Sequence, residues 1–174
     1  MEKPHLYRLI VCILTVLIVA GCGGGGGTQG VATQPTTAVL KLYTQNVSSP
    51  LVSQSITGVT LKINLPGGVT VKTDAGGAVS PGVIVVAGVA VGKASTFAQI
   101  YTSATATAPA TLSFAVVSTD AGGFEAGEFV TVNCDITPGA FPKNADFTLS
   151  DETVSLLNSP PLDTMKITLT SEIK

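Results

Sequence analysis

The chain has 174 residues, of which 45% are hydrophobic and 11% are charged, and its formal net charge is −2. This length suits one domain, and the apolar content excludes an intrinsically disordered chain. The nine Lys and Arg residues are spread along the sequence. Binding to nucleic acid needs clustered cations that displace counterions from phosphates, so no nucleic-acid partner is predicted.

The first 22 residues have the layout of an export signal. Lys3 and Arg8 precede an apolar stretch from Leu9 to Ala20, in which Thr15 is the only polar residue. A membrane-spanning helix needs ~20 apolar residues, and this stretch is shorter. The segment therefore indicates export, with a short transmembrane anchor as one alternative.

The run Val19-Ala20-Gly21-Cys22 resembles the lipobox of bacterial lipoprotein signal peptides. The resemblance implies cleavage before Cys22, diacylglycerol on its thiol and acylation of the new amino terminus, so Cys22 would make the membrane contact. The alternative is an ordinary secretory signal in which Cys22 is incidental. Gly23 resembles the residue found in lipoproteins that are passed on to the outer membrane. The expected location is the cell envelope, at the outer rather than the inner membrane.

Five glycines follow Cys22, and residues 22–37 are rich in Gly, Thr and Gln. This composition predicts a flexible tether with a root-mean-square reach of roughly 20–25 Å. A phosphate-binding loop is disfavoured, because no strand precedes Gly23–Gly27 in the mature chain and no Lys-Ser/Thr follows. The predicted organisation is a signal peptide at 1–21, a lipidated cysteine with its tether at 22–37, and one folded domain at 38–174.

The chain from Cys22 onward has seven lysines, ten acidic residues, no Arg and no His. The absence of His excludes Ser-His-Asp triads, Cys-His pairs and His-ligated zinc. Carboxylates remain as candidates for acid–base chemistry, although solvated turn residues are the preferred interpretation. They form two sets along the chain: Asp120, Glu125 and Glu128, and Asp146, Asp151 and Glu152. We therefore predict a protein without enzymatic activity or cofactor.

Cys134 is the one cysteine that remains once Cys12 leaves with the signal peptide and Cys22 carries lipid. No intrachain disulfide can then form. Cys134 lies in the strand-like run Phe129–Ile136, which predicts a small, half-buried side chain rather than a reactive thiolate.

From residue 38 onward, apolar and polar residues alternate with a period of two, and Gly, Pro, Asn and Asp separate the runs. This pattern predicts an all-β fold, a single β-sandwich of jelly-roll or Ig-like type with about nine to ten strands. The expected strands are Ala38–Tyr43, Val59–Leu65 (resuming at Val69–Val71), Val83–Ala87, Val89–Val91, Thr96–Tyr101, Ala110–Val117, Glu128–Ile136, Phe147–Leu149, Val154–Leu157 and Met165–Thr170.

A short repeat, Asp-Ala-Gly-Gly, occurs at Asp74–Gly77 and again at Asp120–Gly123. An Asp side chain can bond the backbone two residues on, and Gly adopts positive φ readily, so both copies predict turns. The alternative is a weak calcium loop in the second copy, with Glu125 and Glu128 assisting Asp120.

Three fragments are similar to strands of cohesin-like modules: Ile56–Leu65, Gly122–Ile136 and Ala145–Asp151 followed by Val154. The chain departs from those modules at Leu65–Gly68, where cohesins usually carry an aromatic-Asp-Pro turn. The resemblance implies a jelly-roll sandwich and a protein-binding role.

The expected function is therefore a non-catalytic protein-interaction or adhesion module on the cell envelope, and the alternative is a carbohydrate-binding module. An exposed row of aromatic residues would favour a polysaccharide partner, and a flat apolar face would favour a protein partner. The chain has no Trp. The pattern places Phe97, Phe114, Phe129 and Phe147 in the core and leaves Tyr43, Tyr101, Phe124 and Phe141 as candidates for exposure.

Acylation of Cys22 is directly testable by mass spectrometry of the protein isolated from membranes. We expect an amino-terminal peptide that begins at Cys22 and carries lipid mass, and we expect a Cys22→Ser variant to lose that mass. An amino terminus elsewhere, or an unmodified Cys22, would contradict the lipobox interpretation.

Overall fold

The computed structural model describes residues 33–47, 54–157 and 165–174. Cys22, the predicted signal peptide and most of the predicted tether lie outside these ranges. Within them the chain has nine β-strands, no α-helix and two single-turn 3₁₀ segments. The strands are β1 Thr37–Asn46, β2 Ile56–Leu65, β3 Val69–Thr70, β4 Ile84–Val86, β5 Ala94–Thr102, β6 Ala110–Ser118, β7 Gly127–Ile136, β8 Thr148–Leu156 and β9 Met165–Ile173.

The strands form two antiparallel sheets. In the first sheet, β7 lies beside β1 and β1 lies beside β9, while the short strands β3 and β4 both pair with the far side of β7. The second sheet has the order β5-β6-β2-β8. The predicted all-β sandwich is confirmed. In the described ranges, no helix is long and apolar enough to cross a membrane.

Alternation along the strands builds one hydrophobic core from the inner faces of both sheets. Leu40 and Leu42 of β1 are fully buried, and so are Leu112 and Val116 of β6. The residues that alternate with these inward-facing positions, such as Lys41, Ser113 and Ala115, point outward and are half-buried. Period-two patterning thus accounts for which side chains form the core.

The first and last described segments are joined by backbone hydrogen bonds. The N–H groups of Thr36 and Thr37 donate to the carbonyl of Lys174 over 2.6 and 3.0 Å, and the Lys174 N–H donates back to Thr37 over 2.9 Å. The last two residues of the predicted tether are therefore bonded to the first sheet.

Three expected strands differ in the structure. Val89–Val91 is not a strand, because Gly88–Ala90 forms a 3₁₀ turn with Gly88 at φ +51°. A Cβ at Gly88 would lie 2.3 Å from the carbonyl oxygen of Glu128, so the close approach to β7 requires glycine here. The two short strands expected between Phe147 and Leu157 are one strand, β8, interrupted by a bulge.

The position of Phe124 also differs from the sequence prediction, because its side chain is 1% exposed although it lies outside the strands. Its backbone forms a bridge with Ile56, in which each N–H donates to the other residue's carbonyl. Its ring stacks on Phe129 with centroids 6.4 Å apart. The bridge holds the loop against β2 and turns the ring into the core, so the expected exposure of Phe124 was wrong.

Truncation of Phe124 tests its place in the core. Phe124→Ala should lower the free energy of unfolding by about 3–5 kcal/mol, because it removes a fully buried ring and leaves a cavity. Phe141→Ala is the matched control, since that ring is 61% exposed, and it should change stability little. Denaturant unfolding of both variants measures the difference, and equal effects would contradict the described core.

Candidate functional site

The outer face of the second sheet combines exposed apolar side chains with small polar ones. Strand register aligns its residues in four rows that run across β5, β6, β2 and β8. The rows are Ser95, Val117, Gly58 and Ser155; Phe97, Ala115, Thr60 and Thr153; Ile100, Ser113, Lys62 and Ser150; and Thr102, Thr111, Asn64 and Thr148. Nine of these sixteen residues are Ser or Thr, and every row contains at least two of them, so hydroxyl groups are spread over the face.

A bulge in β5 sets the apolar margin of this face, which we define as Phe97, Ile100 and Val117. Phe97 and Ile100 are three residues apart, and in a regular strand they would point to opposite faces. The register shifts between them, with Ala98 at φ +49°, and this extra residue brings both side chains to the outer face. Phe97, Ile100 and Val117 are 51%, 61% and 42% exposed. Phe97 was expected in the core, and the structure shows that this expectation was wrong.

A second bulge lies in β8, the strand at the opposite edge of the same sheet. The register shifts between Thr60 and Lys62 of β2, with Asp151 at φ +53°. The Asp151 carboxylate accepts a hydrogen bond from the Lys62 ammonium group at 2.5 Å, which neutralises the one cation in the four rows. Both groups are more than a third exposed, so the pair contributes little to stability.

The two bulges lie at the same level of the sheet. The β5 bulge is opposite Phe114, the β8 bulge is opposite Leu61, and Phe114 and Leu61 are partners in the central strand pair. The extra residues therefore disturb both outer strands while the two central strands stay in regular register.

Both copies of the Asp-Ala-Gly-Gly repeat form the same turn. Oδ1 of Asp74 accepts the N–H of Gly76 at 2.8 Å, and Oδ1 of Asp120 accepts the N–H of Gly122 at 2.7 Å. Gly123 has φ +73°, and a Cβ there would lie 2.6 Å from the Ile56 carbonyl oxygen. The turn prediction is confirmed for both copies.

The three candidate calcium ligands have separate surroundings. Asp120 bonds its own turn, Glu125 is exposed, and Glu128 lies opposite Tyr43 in the first sheet, where it accepts a 3.3 Å hydrogen bond from Thr131. In the described part of the chain, no three His, Cys, Asp or Glu side chains form a group that could hold a metal ion. The structure does not bring these carboxylates together as a ligand set, and calcium binding by them stays a prediction.

Carboxylates of the second candidate set make local contacts. Asp146 accepts the backbone N–H of Lys143 at 2.8 Å in the 3₁₀ turn Asn144–Asp146, and Asp151 pairs with Lys62. Burial raises the pKa of Glu152, and the charge of Lys166 partly offsets that increase. These contacts give Asp146 and Asp151 structural roles at a turn and a bulge.

A cavity of about 480 Å³ lies against β1 and β7 of the first sheet. Its lining includes Lys72, Pro81–Val83, Asn133, Cys134, Asp135 and Lys174. Cys134 is 3% exposed, and burial, with the charge of Asp135 as a smaller contribution, raises the pKa of its thiol to about 12. The thiol is therefore protonated near neutral pH and is a poor nucleophile.

No protein-family model, curated protein or solved structure matches this chain.

The buried thiol predicts a pH-dependent stability. The folded-state pKa of Cys134 lies above its ordinary value of 9.0, so the unfolded chain loses this proton first as pH rises. Stability from the neutral thiol is complete below pH 9 and is lost between pH 9 and about 12, by roughly 1 kcal/mol per pH unit. Denaturant unfolding across this range should show a shallower decline for Cys134→Ala than for the wild type. Parallel declines would contradict the burial of the thiol.

Proposed function

We propose that the chain is a lipid-anchored protein of the cell envelope whose β-sandwich binds another protein without catalysing a reaction. The single observation that carries this proposal is the outer face of the second sheet, with its apolar margin of Phe97, Ile100 and Val117. A sheet face that combines exposed apolar side chains with many hydroxyl groups suits a protein partner.

The electrostatics of this face support binding through shape and apolar contact. Its one cation, Lys62, is paired with Asp151, and its other side chains are uncharged. The small Ser and Thr side chains cost little conformational entropy when they become buried, while Phe97 and Ile100 supply the apolar area. A partner would cover the margin and accept or donate hydrogen bonds across the remaining rows.

The lipobox at Val19–Cys22 and the glycine-rich segment after it support a membrane location for this module. The predicted tether would hold the sandwich close to the bilayer while leaving it free to turn toward a partner. We propose the outer membrane as the anchored surface, on the basis of Gly23 after the lipobox cysteine.

One observation favours polysaccharide binding as the second candidate. The exposed Phe97 ring lies in a row with Thr60 and Thr153, and sugars bind through a stacked aromatic ring with hydroxyl groups nearby. The face has one aromatic ring rather than a row of rings, so the protein partner is preferred.

Crosslinking from the centre of the face tests the proposal in cells. A photoreactive amino acid at Thr60 of the full chain should give a discrete protein adduct, and the same group at Val85, which is exposed on β4 of the first sheet, should not. The double variant Phe97→Ser, Ile100→Ser should weaken the adduct at least tenfold, since each buried apolar side chain contributes about 1.5–3 kcal/mol.

The matched control is Val91→Ser with Phe141→Ser, which removes two side chains that are 62% and 61% exposed outside the face. This control should leave the adduct unchanged. Phe97→Leu separates the two candidates, because it keeps apolar area and removes ring stacking. Retained binding supports a protein partner, and loss of binding to cell-wall polysaccharide in Phe97→Leu supports the sugar alternative. Equal adducts from Thr60 and Val85 would refute this face as the binding surface.

A further inference from the structure

Three of the four sheet edges in the described structure carry features that hinder strand pairing. The edge strands β5 and β8 of the second sheet each contain a bulge with a non-glycine residue at positive φ, Ala98 and Asp151. On one side of the first sheet, β7 is flanked by strands of two and three residues, β3 and β4. Bulges and very short strands are common means of protecting a sheet edge from other chains.

The fourth edge, β9, has neither feature. It is nine residues long, and its register with β1 continues without a shift from Met165 to Ile173. Its outer side chains include the exposed Lys166 and Glu172. The 3₁₀ turn Asn144–Asp146 packs beside its carboxyl-terminal end, where Asn144 accepts a hydrogen bond from the Ser171 hydroxyl group. A long edge strand with regular register is a template for a further strand.

The hydrogen-bond pattern shows which groups of β9 face away from β1. Thr37 and Lys174 exchange both backbone hydrogen bonds, and such pairs alternate along an antiparallel ladder. The even-numbered residues of β9 therefore bond β1. The odd-numbered residues, among them Ile167, Leu169 and Ser171, direct their N–H and C=O groups toward the free edge.

We propose that β9 pairs antiparallel with β9 of a second copy of this chain, about a two-fold axis at Leu169. When the nine residues of the two strands overlap fully, each odd-numbered residue lies opposite an odd-numbered residue of the second copy, so the free backbone groups can bond one another. Ile167 then lies opposite Ser171 of the second copy, and Leu169 lies opposite Leu169. Two sheets would then join into one continuous sheet across the dimer.

Charge complementarity selects a second copy as the occupant. In the fully overlapped register, Lys166 of each copy lies opposite Glu172 of the other, so the dimer gains two cross-strand ion pairs. Glu172 also contacts two lysines of its own chain, Lys41 at 2.5 Å and Lys174 at 3.5 Å, which hold its carboxylate on the outer face of the sheet. Thr168 faces Thr170 between these pairs, and both opposite charges and Thr–Thr pairs favour adjacent strands.

This interaction uses the first sheet and is separate from the proposed binding face on the second. The two proposals can therefore fail independently.

Disulfide trapping in the full chain tests the two-fold axis. Leu169→Cys places one thiol opposite its own copy, within the Cα separation that a disulfide spans. Mild oxidation of membranes that contain this variant should give a covalent dimer, which should be absent from the wild type and from Thr102→Cys on the bulged edge β5. A crosslink to a different protein, or no crosslink, would overturn the assignment of a second copy.

Charge reversal provides a second readout, by sedimentation of the full chain in detergent at increasing concentration. Lys166→Glu and Glu172→Lys alone should each weaken self-association about tenfold or more, because attractive pairs become repulsive. Mixing the two single variants should restore dimers as heterodimers, and the double variant should self-associate more strongly than either single variant. Monomers at every concentration, or dimers that are insensitive to both reversals, would refute the proposal.

Discussion

Unpaired backbone groups at the sheet edges are the constraint on which the rest of this structure depends. Two open antiparallel sheets expose rows of N–H and C=O groups at their edges, and each edge must be shortened, distorted or paired. In the second sheet, the bulges at Ala98 and Asp151 distort both edges at the same level. The β5 bulge also turns Phe97 and Ile100 to the same face, so edge protection and the composition of the outer face have one physical cause.

The two edges of the first sheet differ in how their backbone groups are arranged. The side next to β7 is divided between β3 and β4, while β9 presents an unbroken strand. The two proposed contact surfaces therefore lie on different sheets. The outer face with its apolar margin belongs to the second sheet, and the strand edge belongs to the first. Under the two proposals, a lipid-anchored module would bind a partner through one sheet while it pairs with a neighbouring copy through the other.

Period-two alternation was sufficient to predict the fold class and most strands, because one face of each strand is buried in a shared core. It did not predict the position of a residue where a contact between segments distant in sequence determines that position. The position of Phe97 depends on an extra residue at Ala98, and Phe124 is buried through a backbone bridge to Ile56. Gly88 approaches β7 too closely for the expected strand at Val89–Val91. For the candidate site, composition predicted only a non-catalytic binding module, and the residues of the face emerged from the register of four strands.

Amide hydrogen exchange of the full chain, compared at low and high protein concentration, tests the edge account most directly. At low concentration, the amides of Ile167, Leu169 and Ser171 should exchange rapidly, while those of Thr168 and Thr170 are protected by β1. At high concentration, the three odd-numbered amides should become protected, and the bulged edges β5 and β8 should not change. Identical exchange in β9 at both concentrations, or new protection at β5 or β8 instead, would contradict the account.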